Sequence, residues 1–253
     1  MPETAPHLSV QLRHRVGALD IDVDFQLFQP WTILFGPSGS GKTTILRAIA
    51  GLIQPRHAHI VSKKTGDNIT LIDTSKAVCL PAHKRGIPLA AQQARLFPHQ
   101  NVLENITYGY RDAGSPGGQE YRDELISTLP GLFHIEDLLQ KYPRELSGGE
   151  AQRVSLARAA VACTKRSNKI LLLDEPFAGL DLPLRDSLAS NLSAWQQKYK
   201  KDVLSVTHDI AEAFQLDAEV IKLSQGRIIQ QGPVATVLAE ERARLLEQLS
   251  PSE

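Results

Sequence analysis

The chain has 253 residues, of which 42% are hydrophobic and 22% are charged, as in an ordinary soluble globular protein. Lysine plus arginine equals aspartate plus glutamate at 28 each, so no excess of positive charge indicates a nucleic-acid partner. No apolar run approaches the roughly eighteen residues that cross a bilayer, and Cys79 and Cys163 form no CxxC pair. We therefore expect a protein of a reducing compartment that neither spans a membrane nor is exported.

The first part of the chain predicts strands around one helix. Residues 8–16 and 21–27 alternate between apolar and polar side chains, which is typical of a half-buried antiparallel strand pair. A short apolar run at 31–35 predicts a strand, and residues 42–52 carry apolar side chains at helical spacing. Further short strands are predicted at 58–61, 69–72 and 87–91.

The second part predicts a helical insertion and then a return to strands. Helices are predicted at 101–108, 121–129, 135–140 and 147–161. Continuous apolar runs at 169–173 and 202–207 suit strands that are buried on both faces of a parallel sheet. A long helix between these runs, a hairpin at 220–223 and 227–229, and a terminal helix at 234–249 complete the pattern.

A glycine-rich stretch between the strand at 31–35 and the following helix fits the phosphate-loop pattern. Its backbone N–H groups would surround the β- and γ-phosphates of a nucleotide at the positive end of the helix dipole. Lys42 would supply a point charge and Thr43 a hydroxyl for magnesium. A glycine turn without a ligand is the alternative. The stretch consists of Gly36, Pro37, Ser38, Gly39, Ser40, Gly41, Lys42, Thr43 and Thr44.

Two carboxylates follow the apolar strand at 169–173. Ligands of a parallel sheet bind at the carboxyl ends of its strands, so we expect Asp174 and Glu175 to lie beside the phosphate loop. Asp174 is placed to hold magnesium, usually through water, and Glu175 to orient or deprotonate the water that attacks the γ-phosphate. The alternative is a strand that ends in acids because it has reached solvent.

Ser147 and Glu150 form a capping-box pattern at the start of a predicted helix. Capping does not explain Gly148 and Gly149, since glycine costs about 1 kcal/mol against alanine in a helix. A pair of glycines allows a phosphate to approach the helix N-terminus closely. We therefore predict a second phosphate contact here.

With these motifs in place, the chain resembles the ATP-binding cassette family over nearly its whole length. The LSGGEAQR stretch at 146–153 is similar to the family signature. Gln92 matches the Q-loop glutamine, Asp181 ends a stretch similar to the D-loop, and His208 matches the switch histidine. The resemblance implies an α/β fold with a phosphate-loop NTPase (RecA-like) core, an N-terminal antiparallel β subdomain and an inserted α-helical subdomain.

The resemblance also implies an organisation for the whole chain. We expect one cassette over residues 1–253, with the core and β subdomain at 1–95 and 164–253 and the helical subdomain at 96–163. No C-terminal regulatory domain is expected, because the chain ends soon after the last cassette elements.

An ATPase is the activity that the resemblance implies. Lys42, Gln92, Glu175 and His208 would be catalytic, and Thr43, Gln92 and Asp174 would hold Mg²⁺. Two copies would form a head-to-tail homodimer, in which Ser147, Gly148, Gly149 and Asp181 of one copy contact ATP on the loop of the other. ATP binding would close the pair, and loss of the γ-phosphate would reopen it.

Residues 78–85 and 93–99 look most like ATPase subunits of importers, and among them of molybdate importers. The partners implied are two membrane permease subunits and an extracytoplasmic solute-binding protein. The location implied is the cytoplasmic face of the inner membrane. Such subunits usually stack an aromatic residue on adenine, but here Arg13, His14 and Arg15 occupy that region. Stacking by His14 or an arginine is the interpretation left open.

Three other functions compete with a molybdate importer. An importer ATPase for another small solute has the same motifs. A soluble cassette ATPase acting on nucleic acid usually has long coiled coils or zinc modules between the phosphate loop and the signature, and this chain has neither there. Its neutral charge also disfavours nucleic acid. A small-molecule kinase shares the phosphate loop but has no use for LSGGE.

Overall fold

The computed structural model describes residues 6–64, 67–110, 118–164 and 169–249. The strands of these residues are β1 (Leu8–Val16), β2 (Leu19–Leu27), β3 (Trp31–Phe35), β4 (His57–Lys64), β5 (Asp67–Asp73), β6 (Val78–Cys79), β7 (Leu89–Ala90), β8 (Ile170–Asp174), β9 (Asp202–Thr207), β10 (Glu219–Ser224) and β11 (Arg227–Pro233). The helices are α1 (Lys42–Ala50), α2 (Ala82–Arg85), α3 (Val102–Thr107), α4 (Gly118–Leu132), α5 (Gly148–Thr164), α6 (Leu182–Tyr199), α7 (Ile210–Gln215), α8 (Val234–Val237) and α9 (Ala239–Leu249).

The chain forms two compact units, which are described separately. One comprises Met1–Pro81 with Leu204–Glu253, and the other comprises Ala82–Val203. These units do not test the predicted division into residues 1–95 with 164–253 and residues 96–163, which stays a prediction.

The first unit contains an antiparallel sheet in the order β2-β1-β4-β5-β6. The predicted alternation is present: Val10 lies opposite Phe25 and Leu12 opposite Val23, and these four side chains are buried. The intervening aspartates of β2 lie on the other face. The alternation of the sequence therefore sets the register of this pair, because a slip by one residue would expose the apolar set.

A second, partly parallel sheet in the same unit carries the phosphate loop. β10 pairs in parallel with β3 and antiparallel with β11. All five residues of β3 are buried, and residues 204–207 of β9 lie beside it. Trp31 Nε1 donates a buried hydrogen bond to Ser205 Oγ at 3.0 Å and so joins these two strands.

The second unit is mostly helical. β7 pairs in parallel with β8, and α5 packs against both strands and against α3. The signature helix α5 therefore lies between the β7–β8 pair and α3. None of the helices in the described ranges combines the length and the apolar character needed to cross a membrane.

Two predicted helices differ from the structure. Residues 135–140 form only a 3-10 turn, Glu136–Leu138. The helix predicted over 234–249 is divided at Leu238 into α8 and α9.

Candidate functional site

The predicted phosphate loop joins β3 to α1 in the first unit. Gly39 and Gly41 have φ angles of +80° and +103°, a conformation that favours glycine. A Cβ at Gly41 would also lie 2.9 Å from Ile21 Cδ1 of β2. The loop therefore has a backbone conformation that a residue with a side chain at Gly39 or Gly41 would disfavour.

The start of α1 fits an anion. The helix has Gly41 at its N-cap, and no side chain provides a capping hydrogen bond. The buried Ser40 Oγ has no hydrogen-bond partner. Helix N-termini present N–H donors and the positive end of the dipole. A phosphate group would therefore supply both the hydrogen-bond acceptors and the negative charge that suit this position.

The Lys42 ammonium lies folded back over this loop. Its Nζ donates to Gly36 O at 2.7 Å and to Pro37 O at 2.9 Å, and the residue is only 5% exposed. Thr43 follows it in the first turn of α1 and is half-buried. The ammonium charge of Lys42 is therefore held against the backbone of the loop itself.

The turn between β10 and β11 supports the loop from the other side. Gly226 N–H donates to Ser40 O at 3.2 Å, and Asp22 N–H donates to Gly226 O at 2.9 Å. A Cβ at Gly226 would lie 2.3 Å from Asp20 O. Gly226 is thus required where the hairpin, β2 and the phosphate loop meet, a role that the sequence did not indicate.

His208 lies exposed at the end of β9, in the same unit as the phosphate loop. The residues around it fix its position: Asp209 caps α7 by accepting from Ala211 N at 2.8 Å. Thr207 Oγ accepts from Asp209 N at 3.0 Å and donates to Glu212 Oε2 at 2.8 Å. The histidine therefore stands on a well-bonded strand-to-helix turn.

The two predicted acidic residues end β8 in the second unit. Asp174 is buried at 2% exposure, whereas Glu175 has a φ of +49°. Gln92 Nε2 donates to Glu175 Oε2 at 2.9 Å, although the two residues are 83 positions apart. A non-glycine residue in the left-handed region costs about 1–3 kcal/mol, and such strain concentrates at functional sites.

The capping box at the start of α5 is formed. Ser147 N–H donates to Glu150 Oε2 at 2.7 Å, and Glu150 N–H donates to Ser147 Oγ at 3.3 Å. The bond from the Ser147 backbone, followed by the bond from its side chain, holds the pKa of Glu150 below its usual value. The sequence prediction for this helix start is confirmed at the level of capping.

The glycine pair beyond the cap is not explained by packing alone. A Cβ at Gly148 would meet no atom within 4 Å, and a Cβ at Gly149 would lie 3.2 Å from Leu180 Cδ2. Asp181, next to Leu180, caps α6 by accepting from Leu184 N at 3.0 Å. The signature and D-loop segments are therefore neighbours within the second unit.

The region predicted to contact adenine lies on β1. Arg13 Nε is 3.0 Å from Asp22 Oδ1 and Arg15 Nε is 3.7 Å from Asp20 Oδ1, so both arginines pair with acids of β2. His14 is half-buried, and its Nδ1 is buried without a hydrogen-bond partner. These contacts leave His14 as the one of the three that is not held by an acid, and the adenine contact stays a prediction.

The predicted residues thus fall into two sets. The first unit holds the phosphate loop and His208. The second unit holds Gln92, Asp174, Glu175, Ser147, Gly148, Gly149 and Asp181. Their roles toward a ligand stay predictions. In the described ranges no group of three or more His, Cys, Asp and Glu side chains could hold a metal ion by itself.

Two residues of α5 reach the loop that carries Gln92, and the sequence analysis gave neither of them a role. Gln152 Nε2 donates to Ala91 O at 3.3 Å, and Arg158 Nη2 donates to Arg95 O at 2.7 Å. Gln152 lies inside the signature, which is the signal that could have drawn attention to it. No sequence signal distinguished Arg158.

Comparisons with known proteins agree with these features. The ABC transporter family model matches residues 20–178. The chain is 39% identical over 238 residues to the molybdenum import ATP-binding protein ModC of Shewanella sp. (strain MR-7), covering 94% of this chain and 61% of that protein. It is 35% identical over 243 residues to the molybdate/tungstate import ATP-binding protein WtpC of Archaeoglobus fulgidus, covering 96% of this chain and 94% of that protein.

A solved structure gives the same result. A dimeric, post-hydrolysis ATP-binding cassette bound to ADP and Pi matches 90% of this chain and 98% of its own length, with a TM-score of 0.71 and 26% identity. The predicted fold class is thereby confirmed. The chain spans about three fifths of the length of the ModC relative. The family model and the WtpC match nevertheless establish that the chain belongs to the ABC transporter family.

Proposed function

We propose that this chain is the ATP-hydrolysing subunit of an ABC importer for an oxyanion, molybdate or tungstate. The observation that carries the ATPase proposal is the contact of Gln92 with Glu175 at the end of a buried strand, in a chain that also holds a phosphate loop. The names of the ModC and WtpC relatives support the importer and its substrate.

ATP binding falls to the phosphate loop. The N–H groups at the start of α1 and the Lys42 ammonium, which lies over Gly36 and Pro37, match the negative charge of the β- and γ-phosphates. Ser40 Oγ is a further hydrogen-bonding atom in the same loop. The loop therefore supplies both neutral donors and a cation to the triphosphate.

Mg²⁺ would be held by Thr43, Asp174 and Gln92. A hydroxyl, a carboxylate and an amide oxygen form the hard oxygen donor set that magnesium prefers, and the Gln92 amide nitrogen is already directed to Glu175. When bound, the ion neutralises charge on the phosphates.

Glu175 is the residue that acts on water in the hydrolytic step. Its carboxylate orients the water and accepts one of its protons while the water oxygen forms a bond to the γ-phosphorus. The bond between that phosphorus and the bridging oxygen breaks, and its electron pair leaves with ADP. His208 lies at the end of β9 with an exposed side chain, where it donates a hydrogen bond to the γ-phosphate in this proposal.

The rest of the site comes from a second copy in a head-to-tail homodimer. Gly148 and Gly149 begin α5 after Ser147, and a Cβ at Gly148 would meet no atom within 4 Å. Asp181 caps α6 and follows Leu180, whose side chain lies next to Gly149. The dimeric cassette with ADP and Pi among the solved structures supports this arrangement. Binding of ATP closes the pair because the closed form has the larger affinity for ATP.

The membrane partner is proposed to dock on the segment after the Gln92 loop. Tyr108 is 45% exposed and its ring lies 4.3 Å from that of Phe97, so an aromatic surface remains accessible there. Two permease subunits would bind it from the cytoplasmic face of the membrane, with an extracytoplasmic solute-binding protein acting through them.

Uptake by cells tests this function. A strain without this chain is complemented with the wild type, Glu175→Gln, Tyr108→Glu or Phe28→Glu, and uptake of labelled molybdate and sulfate is measured. Phe28 is 41% exposed and lies outside the docking segment, so Phe28→Glu is the matched control.

We expect the wild type and Phe28→Glu to restore molybdate uptake, whereas Glu175→Gln and Tyr108→Glu do not. Sulfate uptake should be the same in all strains. Molybdate uptake that persists without the chain would contradict the importer proposal.

A further inference from the structure

We propose that Gln152 and Arg158 are positioning residues, which hold the loop carrying Gln92 onto the signature helix α5 at both of its ends. This inference rests on the proposed ATPase activity, because it concerns where Gln92 and Glu175 meet. All the contacts that support it lie within the second unit, Ala82–Val203.

The first contact precedes Gln92 directly. Gln152 is 6% exposed, and its Nε2 donates to the carbonyl oxygen of Ala91 at 3.3 Å. A buried amide donor that bonds a backbone carbonyl resists displacement, since its loss would leave polar atoms unsatisfied away from water. The chain therefore enters the loop at a fixed point on α5.

The second contact follows three residues after Gln92. The Arg158 guanidinium donates to Arg95 O at 2.7 Å and to Asn105 Oδ1 at 3.4 Å. It also lies 5.2 Å from the centre of the Phe97 ring, within the range of a cation–π contact. One side chain of α5 thus holds both the end of the loop and the aromatic residue that follows it.

Asn105 of α3 links Arg158 to the backbone of the segment that follows the loop. It is fully buried, and its Oδ1 accepts from Phe97 N at 2.8 Å. Its Nδ2 donates to the carbonyl oxygens of Phe97, Gln100 and Asn101 at 3.2, 3.0 and 3.0 Å. Arg158 is therefore tied to a segment that is itself rigidly bonded.

The chain between the two contacts is longer than the distance along α5 that it covers, so its middle can project away from the helix. Gln152 and Arg158 are six residues apart on α5, about 9 Å along the helix axis. The four residue-to-residue steps from 91 to 95 can extend about 13 Å. Gln92 lies exposed within this span, and its Nε2 reaches Glu175 Oε2 at 2.9 Å. Its position therefore depends on α5, the helix that begins at the signature glycines.

The test measures steady-state ATP hydrolysis and thermal unfolding of the full chain. Gln152→Ala and Arg158→Gln are compared with Gln140→Ala and Arg56→Gln, which alter exposed side chains of the same types. We expect kcat to fall about tenfold in the first pair, with KM for ATP changed less than about twofold. Arg158→Lys keeps one donor and should recover part of kcat.

The same substitutions made in a Gln92→Ala variant separate an effect on the position of Gln92 from a general loss of structure. In Gln92→Ala the side chain to be positioned is gone, so adding Gln152→Ala or Arg158→Gln should lower kcat no further. If the effects multiply instead, the two residues act through something other than Gln92 and the inference is overturned.

Hydrogen exchange tests the same contacts without any activity. The backbone amides of residues 91–97 should exchange faster in Gln152→Ala and Arg158→Gln than in the wild type. Unchanged exchange would overturn the inference. A wild-type chain that binds ATP but does not hydrolyse it would contradict the proposed function, whereas the exchange result would still decide whether α5 holds the loop.

Discussion

Replacement of Gly148 by alanine separates folding from ligand contact, because the structure gives this glycine no packing role. A Cβ at this position would meet no atom within 4 Å, and Gly148 is not among the residues with a positive φ. It is the first residue of α5, where alanine is at least as favourable as glycine, by up to about 1 kcal/mol. The variant should therefore unfold at the same temperature or up to about 4 °C higher.

Activity should behave in the opposite way. If the signature glycines let a γ-phosphate on a second copy approach α5, a methyl group there obstructs the closed dimer, and we expect kcat to fall at least tenfold. The assays are thermal unfolding and phosphate release at saturating ATP.

Gly131→Ala is the matched control. Its Cβ would come within 3.3 Å only of Glu136 Oε1, the end of a flexible side chain, so both stability and hydrolysis should persist. A Gly148→Ala variant with wild-type hydrolysis would refute the reasoning, since the glycine would then serve neither packing nor a phosphate.

Three further predictions follow from individual contacts. Lys42→Ala removes the ammonium over the phosphate loop, so affinity in a fluorescent-ATP titration should fall at least about tenfold, and unchanged affinity would mean that the loop does not bind the phosphates. Gly36→Ala would place a Cβ 2.2 Å from Leu223 O, between two backbone segments, so urea unfolding should show a loss of about 3 kcal/mol or no folded protein. The hydrogen bonds from Ser147 lower the pKa of Glu150, so the stability that the carboxylate provides should be complete above about pH 4.3 and decline as the pH falls through its lower folded-state pKa. The stability difference between the wild type and Glu150→Gln, measured in urea at pH 7, 5 and 4, should therefore shrink only at the lowest pH, and a difference that grew there would contradict the assignment.

Local patterns predicted the strands well, because alternation in residues 8–16 and 21–27 has only one register that buries its apolar set. The same reasoning overestimated helices. Ile135 and Leu138 are buried as a helix would require, but a single 3-10 turn after His134, whose φ is +51°, places them equally well.

The division of the terminal helix was not visible in the sequence either. Apolar residues recur at helical spacing across residues 234–249, but the backbone leaves the helical conformation at Leu238, which is fully buried. Burial of that one side chain is a tertiary effect, and periodicity carries no sign of it.

The candidate site shows the same limit. The phosphate loop could be predicted because its glycines and Lys42 act through nearby backbone, within about six positions. Gln152 and Arg158 act on backbone carbonyls 61 and 63 positions away. Every residue carries a backbone carbonyl whatever its type, so no sequence pattern could indicate which carbonyls these side chains bond.

The central claim is that ATP closes two copies of this chain around Glu175 sites, and the oligomeric state of Glu175→Gln tests it most directly. The substitution keeps a side chain that can bond Gln92 but removes the carboxylate that accepts the proton of the attacking water. Size-exclusion chromatography with light scattering is run on this variant with and without ATP. We predict a dimer with ATP and a monomer without it, with ATP hydrolysis nearly abolished. A variant that binds ATP normally and stays monomeric would contradict the head-to-tail account.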